Sequence, residues 1–86
     1  MIDLMLAQLR GGHELFEAQN DTELVDQMRR ASFDRASDLQ EYMDLYAKRL
    51  RQWDGTYVST TSVGAFIRDL KRIGELRTWQ DVAEAG

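Results

Sequence analysis

The stretch from Ser37 to Gly55 constrains the fold most, because it predicts one long helix with a single apolar face. Its large apolar residues recur mostly at three- and four-residue steps, which places them on one side of an α-helix. They are Leu39, Tyr42, Met43, Tyr46, Leu50 and Trp53. Ser37 with Gln40 predicts a capping box, and Gly55 predicts a left-handed helix end. We therefore expect the other elements to pack on this face, with Trp53 in the core.

Two helices are predicted before this one. Ile2, Met5, Leu6 and Leu9 form a helical stripe, which predicts a short helix that ends at Gly11-Gly12. Asn20 with Glu23 three residues later predicts the start of a second helix. Its expected buried residues are Leu24, Val25, Met28 and Ala31. Phe33, in the connection that follows, is also expected in the core.

A fourth helix is predicted to begin at Thr61 or Ser62 and to end at Gly74. Its apolar stripe consists of Val63, Phe66, Ile67, Leu70 and Ile73. Gly64 is unfavourable inside a helix, and we interpret it as a close approach of another backbone. Residues 75–79 are expected to cover one edge of the core, and residues 83–86 to fray.

Two short segments favour extended structure. Residues 56–60 are rich in β-branched and aromatic residues, and residues 14–18 follow a double glycine. These segments are predicted to pair as a ribbon with a helix behind it. The predicted fold is therefore mainly α (α+β): one domain over residues 1–86, a compact four-helix domain with a short two-stranded β ribbon.

The composition narrows the chemistry and the compartment. The chain has no cysteine, which excludes disulfides, thiolate zinc sites and cysteine nucleophiles and fits a reducing cytoplasm. No apolar run approaches the ~20 residues of a membrane span. We therefore expect a cytoplasmic protein that does not engage a membrane.

No catalytic constellation is evident in the sequence. His13 is the only histidine, and no serine stands in a nucleophile-elbow motif. Gly11-Gly12 lacks the spacing and the lysine of a phosphate loop. The acid pairs Asp34/Asp38 and Glu41/Asp44 are interpreted as solvated surface residues. The prediction is a protein without enzymatic activity, metal or cofactor.

Charge is distributed unevenly along the chain. Residues 1–44 hold ten acidic and four basic residues, whereas residues 45–86 hold five and seven. The acidic half suggests a partner-binding face that meets a basic surface and mimics nucleic-acid phosphates. Its candidate residues are Glu14, Glu17, Asp21, Glu23 and Asp26.

The basic half offers an alternative, a DNA- or RNA-binding patch. Its candidate residues are Lys48, Arg51, Arg68, Lys71 and Arg72. The net charge of −4 disfavours nucleic acid as the partner.

Leu4 and Leu45 fall off their helical stripes. Each can fill a second face of the core, or mark an exposed interface for a partner or a second copy. The first interpretation is favoured, and it predicts a monomer.

The stretch from Glu41 to Leu76 resembles small uncharacterised proteins of bacteriophages and prophages. The resemblance rests on Tyr42-Met43, Arg49-Leu50, Trp53, Thr61-Ser62, the run Phe66-Ile67-Arg68-Asp69-Leu70, and Gly74. It implies a stoichiometric binder that inhibits or redirects host complexes, a class that includes anti-CRISPR proteins. The expected function is accordingly a non-catalytic protein-binding module, an inhibitor or accessory factor of a mobile element.

Overall fold

The chain folds as a small α+β unit in which helices cover one face of a three-stranded antiparallel sheet. The computed structural model describes residues 4–32 and 36–80. These residues form β1 (Met5–Leu9), β2 (Phe16–Ala18), α1 (Asp21–Ala31), α2 (Leu39–Asp54), α3 (Val63–Arg72) and β3 (Leu76–Gln80). The prediction of a four-helix domain with a two-stranded ribbon is wrong. Phe33, Asp34 and residues 83–86 lie outside the described residues.

The segment predicted as the first helix is instead β1, the central strand of the sheet. The strand order is β2-β1-β3, and β1 pairs antiparallel with both neighbours. Ala7 lies opposite Phe16 on β2 and opposite Thr78 on β3. Ala7 is fully buried. A helix as short as the predicted one is only marginally stable, whereas pairing with strands on both sides satisfies the backbone N–H and C=O groups of β1.

The sheet has two different faces. Directly opposed residues in an antiparallel sheet share a face, and successive residues alternate between faces. Phe16 and Ala18 are buried on the inner face, and Glu17 between them is exposed. Helix α1 contacts β2, and α3 contacts β3. We call the opposite side, which carries Glu17, the outer face; no described helix covers it.

Residues 75–79, expected to cover an edge of the core, instead lead into and form most of β3. The full length of β3 pairs with β1, from Leu9 opposite Leu76 to Met5 opposite Gln80. Leu76 is buried in the core.

The predicted strand over residues 56–60 does not form, because side chains take its backbone groups. The Ser59 N–H donates to Asp69 Oδ2 at 2.8 Å, and Gln40 Nε2 donates to the Thr60 carbonyl at 2.9 Å. The bond from Ser59, together with Arg72 and Arg68 nearby, holds the pKa of Asp69 below its usual value. The loop is thereby attached to α2 and α3, and it does not pair with β2.

Helix α1 begins at the predicted cap. Asn20 Oδ1 accepts from the Glu23 N–H at 2.8 Å, and Glu23 Oε1 accepts from the Gln19 N–H at 2.8 Å. Leu24, Val25 and Met28 are buried, as predicted. Ala31, the fourth residue expected inside, is exposed.

Helix α2 is confirmed, but its start and its last turn differ from the prediction. The N-cap is Asp38, one residue after Ser37, and its Oδ1 accepts from the Glu41 N–H at 2.8 Å. Glu41 reaches back to the N–H and hydroxyl of Ser37. Gly55 ends the helix at φ 68°, a left-handed conformation that glycine adopts without strain.

The expected burial of Trp53 is wrong. Its side chain is 74% exposed, whereas Tyr42, Met43 and Leu50 of the same stripe are buried. The last turn of α2 runs past the elements that cover the rest of the stripe, so its apolar face meets solvent there.

Helix α3 supplies the centre of the core. Ser62 is its N-cap and accepts from the Ala65 N–H at 3.1 Å. Phe66, Ile67 and Leu70 are buried, as predicted. The interpretation of Gly64 is wrong, because an added Cβ would meet only the Asp21 carboxylate, at 3.9 Å, and no other backbone.

Leu4 and Leu45 are not core residues. Leu4 is 43% exposed and Leu45 is 39% exposed. The favoured interpretation, that both fill a second face of the core, is therefore wrong. The prediction of a monomer depended on that interpretation and loses its support. Among the described residues, no helix is both long and apolar enough to cross a membrane.

Candidate functional site

A hollow lies between the β1–β2 loop and α2. Its volume is about 590 Å³. Phe16, Met28 and Tyr42 form its apolar floor, and Arg10 and Arg49 line it among the polar residues. A site with an apolar floor and a few convergent charged groups is the usual form of a ligand or peptide pocket.

A second hollow of about 280 Å³ continues the first along α2. Arg10, Tyr46 and Arg49 line both hollows, and Trp53 lines only the second. We call the two together the groove. It runs from His13 in the β1–β2 loop to the exposed Trp53 at the end of α2.

The β1–β2 loop holds Arg10 at the groove through its backbone. The Arg10 N–H donates to the Glu75 carbonyl at 2.8 Å, and the Gly12 N–H donates to the Leu9 carbonyl at 2.9 Å. Gly11 has φ 77°, a backbone conformation that residues other than glycine rarely adopt. The double glycine is therefore the turn of a hairpin, not the end of a helix.

Tyr46 and Glu75 connect the two sides of the groove. The Tyr46 hydroxyl donates to Glu75 Oε2 at 2.7 Å. Burial raises the pKa of Tyr46 far above its usual value, and the hydrogen bond and the negative charge of Glu75 raise it further. The phenol is therefore protonated at neutral pH. The Arg49 guanidinium lies 5.7 Å from the centroid of the Tyr46 ring, close enough for a cation–π interaction.

The two arginines of this groove, which Glu14, Asp54 and Glu75 also line, can bind a carboxylate beside an apolar group. Arginine guanidinium groups bind carboxylates and phosphates through parallel hydrogen bonds, and the apolar floor can take a side chain next to them. His13 lies exposed in the loop at one end of the groove. Within residues 4–32 and 36–80, no three His, Asp or Glu side chains gather as metal ligands.

The acidic residues predicted to face a partner are not presented as one free face. Glu23 takes part in the cap of α1. Asp26 forms ion pairs with Arg29 at 3.0 Å and with Arg30 at 2.7 Å. Glu14 lies in the loop beside the groove, Glu17 lies on the outer face, and Asp21 begins α1. Two of the five carboxylates are thus already engaged within the fold.

The basic residues of the alternative patch fall into two groups. Lys48 and Arg51 on α2 line a hollow with Tyr57, and the Arg51 guanidinium lies 5.5 Å from the Tyr57 ring centroid. Arg68 and Arg72 on α3 flank Asp69 at 3.7 and 3.6 Å, which offsets part of their charge. Lys71 is exposed on the same helix.

The sequence pattern does not indicate that Arg10, Tyr46, Arg49 and Trp53 form one site. Tyr46 and Trp53 continue the apolar stripe of α2, which predicts that both lie in the core. Arg10 lies in a segment predicted as a helix, so its position in a hairpin loop facing α2 was missed. The available signal was a large aromatic residue in the last turn of a helix, four residues after Arg49.

No protein-family model, curated protein or solved structure matches this chain. The functional assignment therefore depends on the geometry of the groove.

Proposed function

We propose that the protein is a non-catalytic protein-binding module, and that the groove receives a partner segment with carboxylates next to a large apolar side chain. The observation that carries the proposal is Trp53, which is 74% exposed at one end of a groove lined by Arg10 and Arg49. Tryptophan, tyrosine and arginine are the residues that most often dominate the binding energy of protein interfaces.

The groove supports this function better than the acidic residues of the first half do. Glu23 and Asp26 stabilise α1 and would have to leave their partners to bind a basic surface. Arg10 and Arg49 lie above a floor of apolar side chains, where a partner's carboxylate would be partly shielded from water. An exposed tryptophan can bury much of its surface on binding, whereas surface carboxylates gain little.

The resemblance to phage and prophage proteins extends this proposal to a stoichiometric inhibitor or accessory factor. Such a protein needs one high-quality binding surface and no chemistry. A nucleic-acid partner is less well supported, because Asp69 offsets part of the charge of Arg68 and Arg72.

Selection from a displayed library of random peptides tests the proposal. We expect the enriched peptides to combine Asp or Glu with a neighbouring Phe, Trp or Leu. Their binding should be lost in Trp53→Ser and in Arg10→Glu. Tyr57→Ser is the matched control, since Tyr57 is 70% exposed but lies outside the groove.

Three outcomes would overturn the proposal. They are peptides without acidic enrichment, equal loss of binding in Tyr57→Ser and Trp53→Ser, and tight salt-dependent binding of labelled DNA or RNA that the groove variants do not weaken. Circular dichroism of each variant shows whether the fold is intact.

A further inference from the structure

The outer face of the sheet is a second surface, separate from the groove. Alternation and strand pairing place Leu6 on this face, between Glu17 on β2 and Trp79 on β3. Arg77 lies on the same face two residues from Trp79, opposite Gln8. Leu4 and Leu15, 43% and 55% exposed, directly precede β1 and β2. Three large exposed apolar residues thus border or lie on one small sheet.

The two charges of this face, Glu17 and Arg77, form no ion pair with each other within the described chain. Glu17 and Arg77 lie on the two edge strands with β1 between them, and neighbouring strands are ~4.8 Å apart. Their positions are also offset along the strands by one pair of residues, about 7 Å. The Arg77 guanidinium instead lies 5.7 Å from the centroid of the Trp79 ring.

We propose that the outer face binds a second copy of this chain, related by a two-fold axis parallel to β1. A two-fold interface brings the same surface of both copies together, so the surface must be complementary to itself. Rotation about an axis along β1 places β2 of one copy across from β3 of the other. Glu17 then lies directly across from Trp79 of the second copy, and its carboxylate can reach the Arg77 guanidinium of that copy, two residues further along β3. The symmetric pair forms on the opposite side.

The charges choose between the possible axes. A two-fold axis perpendicular to the strands would place β2 across from β2 and bring the two Glu17 carboxylates together. An axis parallel to β1 forms two Glu17–Arg77 pairs around the apolar centre of Leu6 and Trp79. The second arrangement is therefore the one that the outer face favours.

The size of the face sets the strength of the dimer. Three strands, each five residues long or shorter, cover a flat footprint of about 14 by 17 Å. That is well below the ~800 Å² that each partner buries in a standard interface. The dimer is therefore weak and forms at high protein concentration, and sedimentation over a wide concentration range measures it.

Charge exchange provides a specific test. Glu17→Arg and Arg77→Glu should each weaken self-association by at least about threefold, because each leaves like charges opposed in both symmetric pairs. A mixture of the two variants should associate with at least wild-type affinity, since every opposed pair is then Arg with Glu. The double variant, Glu17→Arg with Arg77→Glu, should also recover the wild-type affinity. Lys71→Glu, a charge reversal on α3, should leave it unchanged.

The groove variants separate this proposal from the proposed function. Trp53→Ser and Arg10→Glu should leave self-association unchanged. A chain that stays monomeric at every concentration, or a dimer whose affinity is the same in the single variants and in their mixture, would overturn the proposal. Binding of a labelled single-stranded oligonucleotide to the monomeric protein, if Trp79→Ser abolished it, would also overturn the proposal. That result would assign the outer face to nucleic acid.

Discussion

Replacing Tyr46 with phenylalanine removes one hydrogen bond and leaves the ring packing in place. The hydroxyl donates to Glu75 at 2.7 Å and connects α2 to the residue that precedes β3. The ring makes edge contacts with Tyr42 and Phe66, at centroid distances of 5.9 and 5.8 Å. Because phenylalanine retains both contacts, the change in stability reports the hydrogen bond alone.

The expected loss follows from the environment of the bond. Hydrogen bonds to charged groups typically contribute about 1.5–3 kcal/mol to stability. Tyr46 and Glu75 are both half-buried, so water can partly replace the hydroxyl at the carboxylate. We therefore expect Tyr46→Phe to lower the free energy of unfolding by about 1–2 kcal/mol at neutral pH. That is a considerable part of the ~5–15 kcal/mol typical of a domain.

The same bond predicts a pH dependence. Burial, then the hydrogen bond and charge of Glu75, raise the pKa of Tyr46 in the folded state. The folded protein therefore holds this proton more tightly than the unfolded chain does, whose tyrosine pKa is ~10. The stabilisation is complete below that pH and decreases as pH rises above it. The difference between wild type and Tyr46→Phe should shrink in that alkaline range.

Urea denaturation followed by circular dichroism, at neutral and at alkaline pH, measures both effects. Tyr57→Phe is the matched control, because Tyr57 is 70% exposed. This variant should change the free energy of unfolding by no more than about 0.5 kcal/mol. Equal stabilities of Tyr46→Phe and Tyr57→Phe at neutral pH would refute the reasoning.

Three further predictions concern stability. Phe66→Ala should lower the free energy of unfolding by about 3–5 kcal/mol because the side chain is fully buried, whereas Trp53→Ala should lower it by about 0.5 kcal/mol or less. Similar losses in both variants, measured by chemical denaturation, would contradict the fold. The pKa of Asp69 is lowered by its hydrogen bond from the loop, so stability should fall as pH decreases through the acid range, and Asp69→Asn should flatten that fall in thermal melts. Asp38→Ala should lower the free energy of unfolding by about 0.5–2 kcal/mol, and by more than Ser37→Ala does, because Asp38 is the N-cap of α2. A larger loss in Ser37→Ala would show that Ser37 is the N-cap, as the sequence predicts.

The helices were predictable because their signals are local. In α1 and α3 the spacing of apolar residues and the cap residues lie within a few positions of one another, and both helices form as expected. The cap of α2 was misplaced by one residue, since Ser37 and Asp38 both can cap and only the position of Glu41 decides between them.

The sheet was not predictable in the same way, because its pairing is not local. Met5 to Leu9 fits a helical stripe and a strand equally well, and its partner β3 lies at the other end of the described chain. For residues 56–60 the prediction is wrong in the opposite direction, because a strand is predicted and none forms. Their composition favours a strand, but Asp69 and Gln40 bind the backbone groups that a strand would need.

The candidate site was missed for a related reason. The position of Arg10 follows from a hairpin that the sequence did not reveal. Trp53 continues the stripe of α2, but whether the last turn of a helix is covered depends on how far its neighbours extend. Only the arrangement of elements shows that Trp53 meets solvent and borders a groove.

Glu75 joins the groove to the sheet, and this connection predicts how the groove responds when one of its own hydrogen bonds is removed. Its carbonyl accepts from the Arg10 N–H, and its carboxylate accepts from the Tyr46 hydroxyl. One residue thus fixes the β1–β2 loop and α2 relative to each other. Loss of the Tyr46 hydroxyl should therefore loosen the groove and weaken the peptides selected by it.

The charge of Glu75 can be separated from its role as an acceptor. Glu75→Gln keeps an oxygen that accepts from Tyr46 but removes a negative charge beside the arginines, so its affinity for acidic peptides should be unchanged or higher. Tyr46→Phe should lower that affinity, measured by fluorescence anisotropy under conditions where both variants are folded. If both variants bound more weakly to the same extent, the carboxylate charge would be required and the hydrogen bond would not explain the geometry of the groove.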